Sequence, residues 1–99
     1  MGLAKAVLAE FIGSFIFFSV ILSVVANTTI GSIGPIAISI GLLAAIYFGG
    51  SISGGHFNPA VSLMMLVKGK IGSDVFFLYI LAQIFGGLVA VAINNYFIL

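Results

Sequence analysis

The chain is almost continuously apolar, and its few charged residues lie in two places. Lys5 and Glu10 come near the start, whereas Lys68, Lys70 and Asp74 come in the last third. No Asp, Glu, Lys or Arg occurs between Glu10 and Lys68. As a single helix that uncharged run would measure roughly 85 Å, far more than the hydrocarbon thickness of about 30 Å. The pattern therefore predicts a membrane protein whose apolar run turns back on itself.

Turn-forming residues divide the apolar sequence into three predicted spans. The stretch from Asn27 to Pro35, NTTIGSIGP, has the composition of a turn between helices. It separates a first span at about residues 3–26 from a second at about 36–53, which ends among closely spaced glycines. A third span at about residues 74–97 follows Asp74 and matches the roughly 20 residues needed to cross a bilayer.

A short helix is predicted between the second and third spans. Asn58 is a favoured N-cap residue, and Pro59 occupies the first helical position, where its missing N–H costs nothing. The loop and this helix together cover about residues 54–68, so the helix reaches only about half of the bilayer. We therefore expect an all-α membrane protein with three transmembrane helices and one re-entrant half-helix.

A re-entrant helix that begins at Asn58 has a definite chemical consequence. Its N-terminus carries partial positive charge and unpaired N–H groups, so it would repel cations at the middle of the bilayer. The segment before it, Ser53 to Phe57, would present backbone carbonyls if it is extended, as filters built from backbone oxygens do. This arrangement favours a pathway for dipolar molecules and disfavours a cation or proton channel.

Composition excludes several functional classes. Hydrophobic residues make up 63% of the chain and charged residues 5%, which excludes a water-soluble fold. A net charge of +1 cannot neutralise a nucleic-acid backbone, so no nucleic-acid partner is expected. With one histidine, two carboxylates and no cysteine, we expect no enzyme, no cofactor and no metal site.

Three motifs resemble those of one known family. They are SISGGHFNPAV at Ser51–Val61, AEFIGSF at Ala9–Phe15 and AQIFGG at Ala82–Gly87. The first is similar to the first signature loop of the major intrinsic proteins, the aquaporins and aquaglyceroporins. The other two resemble that family's first-helix and third-helix motifs. Residues 1–99 as a whole resemble the first of the family's two inverted repeats, which is half of a right-handed six-helix bundle.

The resemblance implies roles for individual residues. Asn58 would donate hydrogen bonds to the permeating water or polyol, and Pro59 and Ala60 would complete the motif and pack against its counterpart. Backbone carbonyls would line the pore at four positions, namely Gly54, Gly55, His56 and Phe57. Glu10 and Gln83 would support the loop from the first and third helices. The family usually forms tetramers with a pore in each subunit.

The chain also departs from the family pattern. The second signature loop, the last three spans and any arginine are absent, so the family's constriction arginine is missing as well. Counting back from Asn58, the second-helix constriction position falls on Ile38 or, with a small deletion, on Ile40. An aliphatic residue there would leave a wider filter, and the choice between water, glycerol and other small neutral solutes stays open.

Three residues have structural alternatives to these roles. The His56 side chain could line the pore, or it could pack the loop as a neutral imidazole bonded to backbone. Glu10 could extend toward the membrane interface, although its face of small residues favours burial. Asn58 could serve as a helix cap alone, but capping does not explain a helix break within an apolar run.

The three lysines all fall on one side of the predicted topology, which should be cytoplasmic and places the N-terminus there too. We expect an integral protein of the plasma or inner membrane. The apolar ending YFIL suggests a fragment or a gene cut short. The leading hypothesis is the N-terminal half of an aquaporin-like channel for water or small neutral solutes, completed by a second repeat or by further copies of itself. The alternative is a non-conducting packing or regulatory subunit that associates with full-length channels.

Overall fold

A computed structural model describes residues 2–27, 29 and 31–97. Met1, Thr28, Ile30, Ile98 and Leu99 lie outside the described residues, and with them two positions of the predicted turn and the end of the YFIL segment. The described residues form four α-helices: α1 at Gly2–Ala26, α2 at Ile33–Ser53, α3 at Pro59–Val67 and α4 at Ser73–Phe97. Three of these helices are long and apolar enough to cross a membrane, and α3 has nine residues. The predicted fold class is confirmed.

Helix α2 begins earlier than the sequence pattern indicates. We expected its start at about residue 36, after the proline, but the helix begins at Ile33 and includes Pro35 in its first turn. The first four N–H groups of a helix have no partner within the helix, so a proline there removes no hydrogen bond. The pattern of turn-forming residues therefore ended the predicted turn about three residues too late.

Helix α1 lies between α2 and α4, and α3 packs against α4. The buried positions at these crossings are small or polar. The buried apolar core comprises Ala6, Ala9, Ala45, Phe57, Tyr79, Ala82 and Ala90. The large aliphatic and aromatic side chains lie mostly on the outer surfaces, as expected for helices in contact with lipid.

Gly86 allows α1 and α4 to pack so closely that their backbones are in contact. A Cβ added at Gly86 would lie 2.7 Å from the carbonyl oxygen of Phe11 and 3.1 Å from the backbone nitrogen of Phe15. Neither backbone atom can move aside without moving its helix. Ala82, Gly86 and Ala90 are all buried and form a close packing face of α4, whereas Gly87 beside them is half-buried.

Candidate functional site

The site is organised around the carboxylate of Glu10, which is fully buried rather than turned toward an interface. Its Oε2 accepts hydrogen bonds from the Ser53 hydroxyl at 2.6 Å and from the backbone N–H of His56 at 3.0 Å. Its Oε1 accepts from the backbone N–H of Phe57 at 2.8 Å and from Nε2 of Gln83 at 2.9 Å. A buried carboxylate is tolerated only when hydrogen bonds replace its hydration, and these four donors supply them.

The loop between α2 and α3 adopts a backbone shape that glycine makes accessible. Gly54 has φ +93° and closes α2 with a left-handed cap, its N–H donating to the Gly50 carbonyl at 2.8 Å. Gly55 follows with φ +67°, and its N–H donates to the Ser53 hydroxyl at 3.1 Å. These turns bring the next two N–H groups against Glu10.

The hydrogen bonds of the loop determine where its carbonyl groups point. The described peptide bonds are all trans, so each N–H points opposite to the carbonyl that precedes it. Because the N–H groups of Gly55, His56 and Phe57 are bound on the side of Glu10 and Ser53, the carbonyls of Gly54, Gly55 and His56 point away from that side. Within the described part of the chain, none of these carbonyls accepts a hydrogen bond. The loop thus presents a short row of free acceptors.

Gln83 connects three helices through its side-chain amide. It is 1% exposed, and its Nε2 donates both to Glu10 Oε1 on α1 and to Ser62 Oγ on α3, each at 2.9 Å. In this assignment of the amide, its Oε1 is buried and has no partner among the described residues. Through this one side chain, α4 is hydrogen-bonded both to Glu10, which holds the loop, and to α3.

The ring of His56 packs inside the loop. It is 7% exposed, its Nδ1 lies 2.8 Å from Ser62 Oγ, and its centroid lies 5.0 Å from that of Tyr79 in an edge-on arrangement. The ring is therefore packed within the loop, although its partner is the Ser62 hydroxyl rather than a backbone group. What His56 contributes to the outer side of the loop is its backbone carbonyl.

Asn58 caps the start of α3, and its side-chain amide nitrogen has no partner among the described residues. Its backbone is extended, with φ −162°, and its Oδ1 accepts from the Ala60 N–H at 2.8 Å, with Pro59 at the first helical position. Because Oδ1 is used as the cap, the side-chain amide can donate two further hydrogen bonds, and none is made to the described residues. All three residues of the Asn-Pro-Ala motif are exposed.

The two candidate constriction residues lie elsewhere on the molecule. Ile38 is half-buried and Ile40 is 58% exposed, and both belong to the first half of α2. The loop follows the other end of that helix, roughly 20 Å further along at 1.5 Å per residue. Ile40 lines a shallow groove of about 300 Å³ with neighbouring α2 residues. The structure therefore does not bring either isoleucine into the network around Glu10.

Sequence reasoning missed two residues of the site, Ser62 and Tyr79. It predicted Ser53 to be extended and to present its carbonyl, which is wrong, because Ser53 ends α2 and its carbonyl accepts a hydrogen bond from Tyr79. Ser62 is fully buried within α3 and bonds both His56 and Gln83, while Tyr79 donates to the Ser53 carbonyl. A polar residue inside a short apolar helix was a usable signal for Ser62. The role of Tyr79 depends on a contact 26 residues away, which no local pattern indicates.

No group of three or more metal-binding side chains occurs among residues 2–27, 29 and 31–97. A groove of about 420 Å³ lies beside Pro59 and Gln83 and is otherwise lined by apolar residues of α1 and α4. The exposed motif and this groove lie next to each other, because Pro59 belongs to both. The site therefore combines a buried polar support with an exposed outer surface.

Comparison with known proteins gives consistent matches along the chain. Residues 1–98 match the family model for the major intrinsic proteins. The chain is 40% identical over 93 residues to glycerol uptake facilitator protein-like 6 of Lactiplantibacillus plantarum, covering 92% of this chain and 43% of that protein. It is 38% identical over 98 residues to aquaporin-9 of Homo sapiens, covering 92% of this chain and 33% of the relative. The chain thus spans less than half the length of these curated relatives, and no solved structure matches it significantly.

Proposed function

This chain belongs to the major intrinsic protein family, and from that premise we propose that it is the first half of a passive transmembrane channel for water or small neutral solutes. It is an integral membrane protein, with three helices that are long and apolar enough to cross a bilayer. Relatives named as aquaporins and as a glycerol uptake facilitator-like protein support this class of solute.

The observation that carries the proposal is the sequence of hydrogen-bonding groups along the loop. No described residue donates to the carbonyls of Gly54, Gly55 and His56, and none accepts from the Asn58 amide that follows them. A water molecule or a hydroxyl group can donate to the carbonyls and accept from the amide in turn. Carbonyl rows of this kind replace the hydration of a molecule that passes along them.

The start of α3 supports selection against cations. Its first N–H groups and the helix dipole place partial positive charge beside Asn58, and no acidic residue lies in its first turn. The carboxylate of Glu10 is close, but all of its hydrogen bonds are to groups on the inner side of the loop. Neutral dipolar molecules are therefore favoured over cations at this point.

A second repeat of the family, or further copies of the chain, would complete the channel. Helix α3 exposes an apolar stripe at Leu63, Met64 and Val67, which are 51%, 54% and 78% exposed. Together with Pro59 and its groove, this stripe is a surface on which the missing half could pack. In the completed channel we place Ile38 or Ile40 at the constriction, and we propose tetramers, which are usual in the family.

The three lysines support an orientation for the chain. Lys5 lies near the start of α1, while Lys68 and Lys70 lie between α3 and α4. If α1, α2 and α4 cross the bilayer in turn, all three lysines lie on the same side of it. Basic residues are enriched on the cytoplasmic side of membrane proteins. We therefore place the N-terminus and the connection between α3 and α4 on the cytoplasmic side. We propose that the membrane is the plasma or inner membrane.

The test is osmotic shrinkage of proteoliposomes, followed by light scattering, with circular dichroism to establish that the protein is helical. The chain is reconstituted alone and together with the second half of the Lactiplantibacillus relative. We expect fast shrinkage in the completed channel and a several-fold loss of permeability in Asn58→Ala and Asn58→Asp, because each removes the donor amide. Sucrose and glycerol gradients distinguish water passage from polyol passage.

Asn95→Ala is the matched control, since Asn95 is an exposed asparagine on α4, away from the loop. It should leave the permeability unchanged. Equal permeability in wild type, Asn58→Ala and Asn58→Asp would contradict the assigned role. Stable co-purification with a full-length relative, without any effect of the Asn58 variants on flux, would instead favour the non-conducting subunit.

A further inference from the structure

The side chain of Phe57 occupies a gap between α1 and α2 that two glycines create. It is fully buried, whereas Asn58, the next residue, is exposed. A Cβ added at Gly13 on α1 would lie only 2.1 to 2.7 Å from three atoms of the ring. A Cβ added at Gly49 on α2 would lie 3.2 Å from the ring. The ring therefore fills space that any other residue at Gly13 would occupy.

The backbone of Phe57 is fixed as well as its ring. Its φ is +52°, which makes it the non-glycine residue with a left-handed backbone among the described residues. Glycine adopts this conformation far more readily than a bulky side chain does. Its N–H is held by Glu10 Oε1 at 2.8 Å. An aromatic residue in an unfavourable backbone conformation indicates that the ring itself is required at this position.

These two attachments lie one peptide bond before the Asn58 side chain. Phe57 is held at its N–H and at its ring. Because the peptide bond that follows is planar, these contacts limit the positions available to Asn58 and the first turn of α3. Among residues 2–27, 29 and 31–97, the Asn58 side chain bonds only Ala60, within the same helix start. The contacts of Phe57 therefore determine where the Asn58 amide lies relative to the carbonyls of the loop.

We propose that Phe57 is a positioning residue whose ring, seated between Gly13 and Gly49, fixes the Asn58 amide in the permeation path. This inference rests on the proposed channel function. The ring acts as a wedge between α1 and α2, and its size sets how far the start of α3 stands from those helices. A smaller side chain at position 57 lets Asn58 move relative to the carbonyls of Gly55 and His56.

The experiment makes the side chain smaller at Phe57, larger at Gly13, or both. Phe57→Leu reduces the ring to a smaller apolar side chain, and Phe57→Gly removes it while making the left-handed backbone easier. Gly13→Ala places a methyl group where the ring stands, and the double variant Gly13→Ala with Phe57→Leu provides room for that methyl group. Phe85→Leu is the control, because Phe85 is 56% exposed on α4.

The readouts are water permeability per amount of helical reconstituted protein and the ratio of glycerol to water permeability, both in the completed channel. We expect Phe57→Leu, Phe57→Gly and Gly13→Ala to lower water permeability several-fold and to change the ratio, while Phe85→Leu changes neither. The double variant should be closer to wild type than Gly13→Ala alone. A ring that only fills the core would alter thermal stability without altering the ratio.

Wild-type permeability and ratio in both Phe57→Leu and Phe57→Gly would overturn the proposal, whatever their stability. If Gly13→Ala fails to insert, these two variants still decide the question, and insertion restored by Phe57→Leu supports the contact. The proposed function fails separately, namely if Asn58→Ala also leaves permeability unchanged. Loss of flux in Asn58→Ala without any effect at Phe57 contradicts the positioning role alone.

Discussion

The hydroxyl of Tyr79 donates a hydrogen bond to the backbone carbonyl of Ser53 at 2.6 Å. Ser53 is the last residue of α2, where helix carbonyls have no partner within the helix. Tyr79 belongs to α4, a helix that does not pack directly on α2. The bond therefore links two helices across the loop and removes the Ser53 carbonyl from the row of free acceptors, which begins at Gly54.

We expect Tyr79→Phe to lower the free energy of unfolding by about 1–3 kcal/mol, because the Ser53 carbonyl is left buried without its donor. The ring remains and keeps its contact with His56. Denaturation of the 99-residue chain in detergent micelles measures the loss. Tyr96→Phe is the matched control, since Tyr96 is 85% exposed. Equal losses in the two variants would show that the Tyr79 hydroxyl has no structural role.

Glu10→Gln should be more damaging than its small change in shape suggests. The new amide nitrogen replaces an oxygen that accepts two hydrogen bonds, so two donors face another donor. Bonds to a charged group contribute about 1.5–3 kcal/mol each, so we expect a loss of at least about 3 kcal/mol. Asp74→Asn, at an exposed acid in the first turn of α4, should cost about 0.3–1 kcal/mol. A loss in Glu10→Gln no larger than in this control would contradict the central role of Glu10.

Two fully buried serines should respond in opposite ways to alanine. Ser62 bonds both Gln83 and His56, and Ser62→Ala should destabilise the chain by about 1–3 kcal/mol. The hydroxyl of Ser14 has no partner among the described residues, so Ser14→Ala should be neutral or stabilising within about 1 kcal/mol. Unfolding in detergent compares the two directly. A larger loss at Ser14 than at Ser62 would be contrary to this hydrogen-bond assignment.

Adjacent glycines on α4 should also differ. Gly86→Ala places a methyl group against the backbone of α1, which cannot yield locally, and should cost about 1–3 kcal/mol. Gly87→Ala meets only the ring of Phe18 at 3.2 Å, a side chain that can rotate, and the gain in helix propensity offsets much of this contact. Thermal unfolding of the two variants is the measurement, and similar midpoints would argue against close packing of α1 and α4.

The sequence predicted the fold because its signals are local or compositional. Apolar runs of bilayer length, separated by turn residues, predict three spans, and Asn58 with Pro59 predicts where the short helix starts. The start of α2 was placed too late because a proline in a first helical turn resembles a proline that ends a turn. Pro35 is compatible with either position, and only the backbone of the folded chain distinguishes the two.

The sequence by itself determined that this chain crosses a membrane, where its helix break lies and which family it resembles, since hydropathy, glycine and proline act on their own segments of chain. The tertiary structure decided how the break is stabilised. Glu10 lies 43 to 47 residues from its partners Ser53, His56 and Phe57. Tyr79 lies 26 residues from Ser53, and Gln83 lies 73 residues from Glu10. Their hydrogen bonds depend on helix packing, and packing also turns the Phe57 ring inward and leaves Asn58 outside.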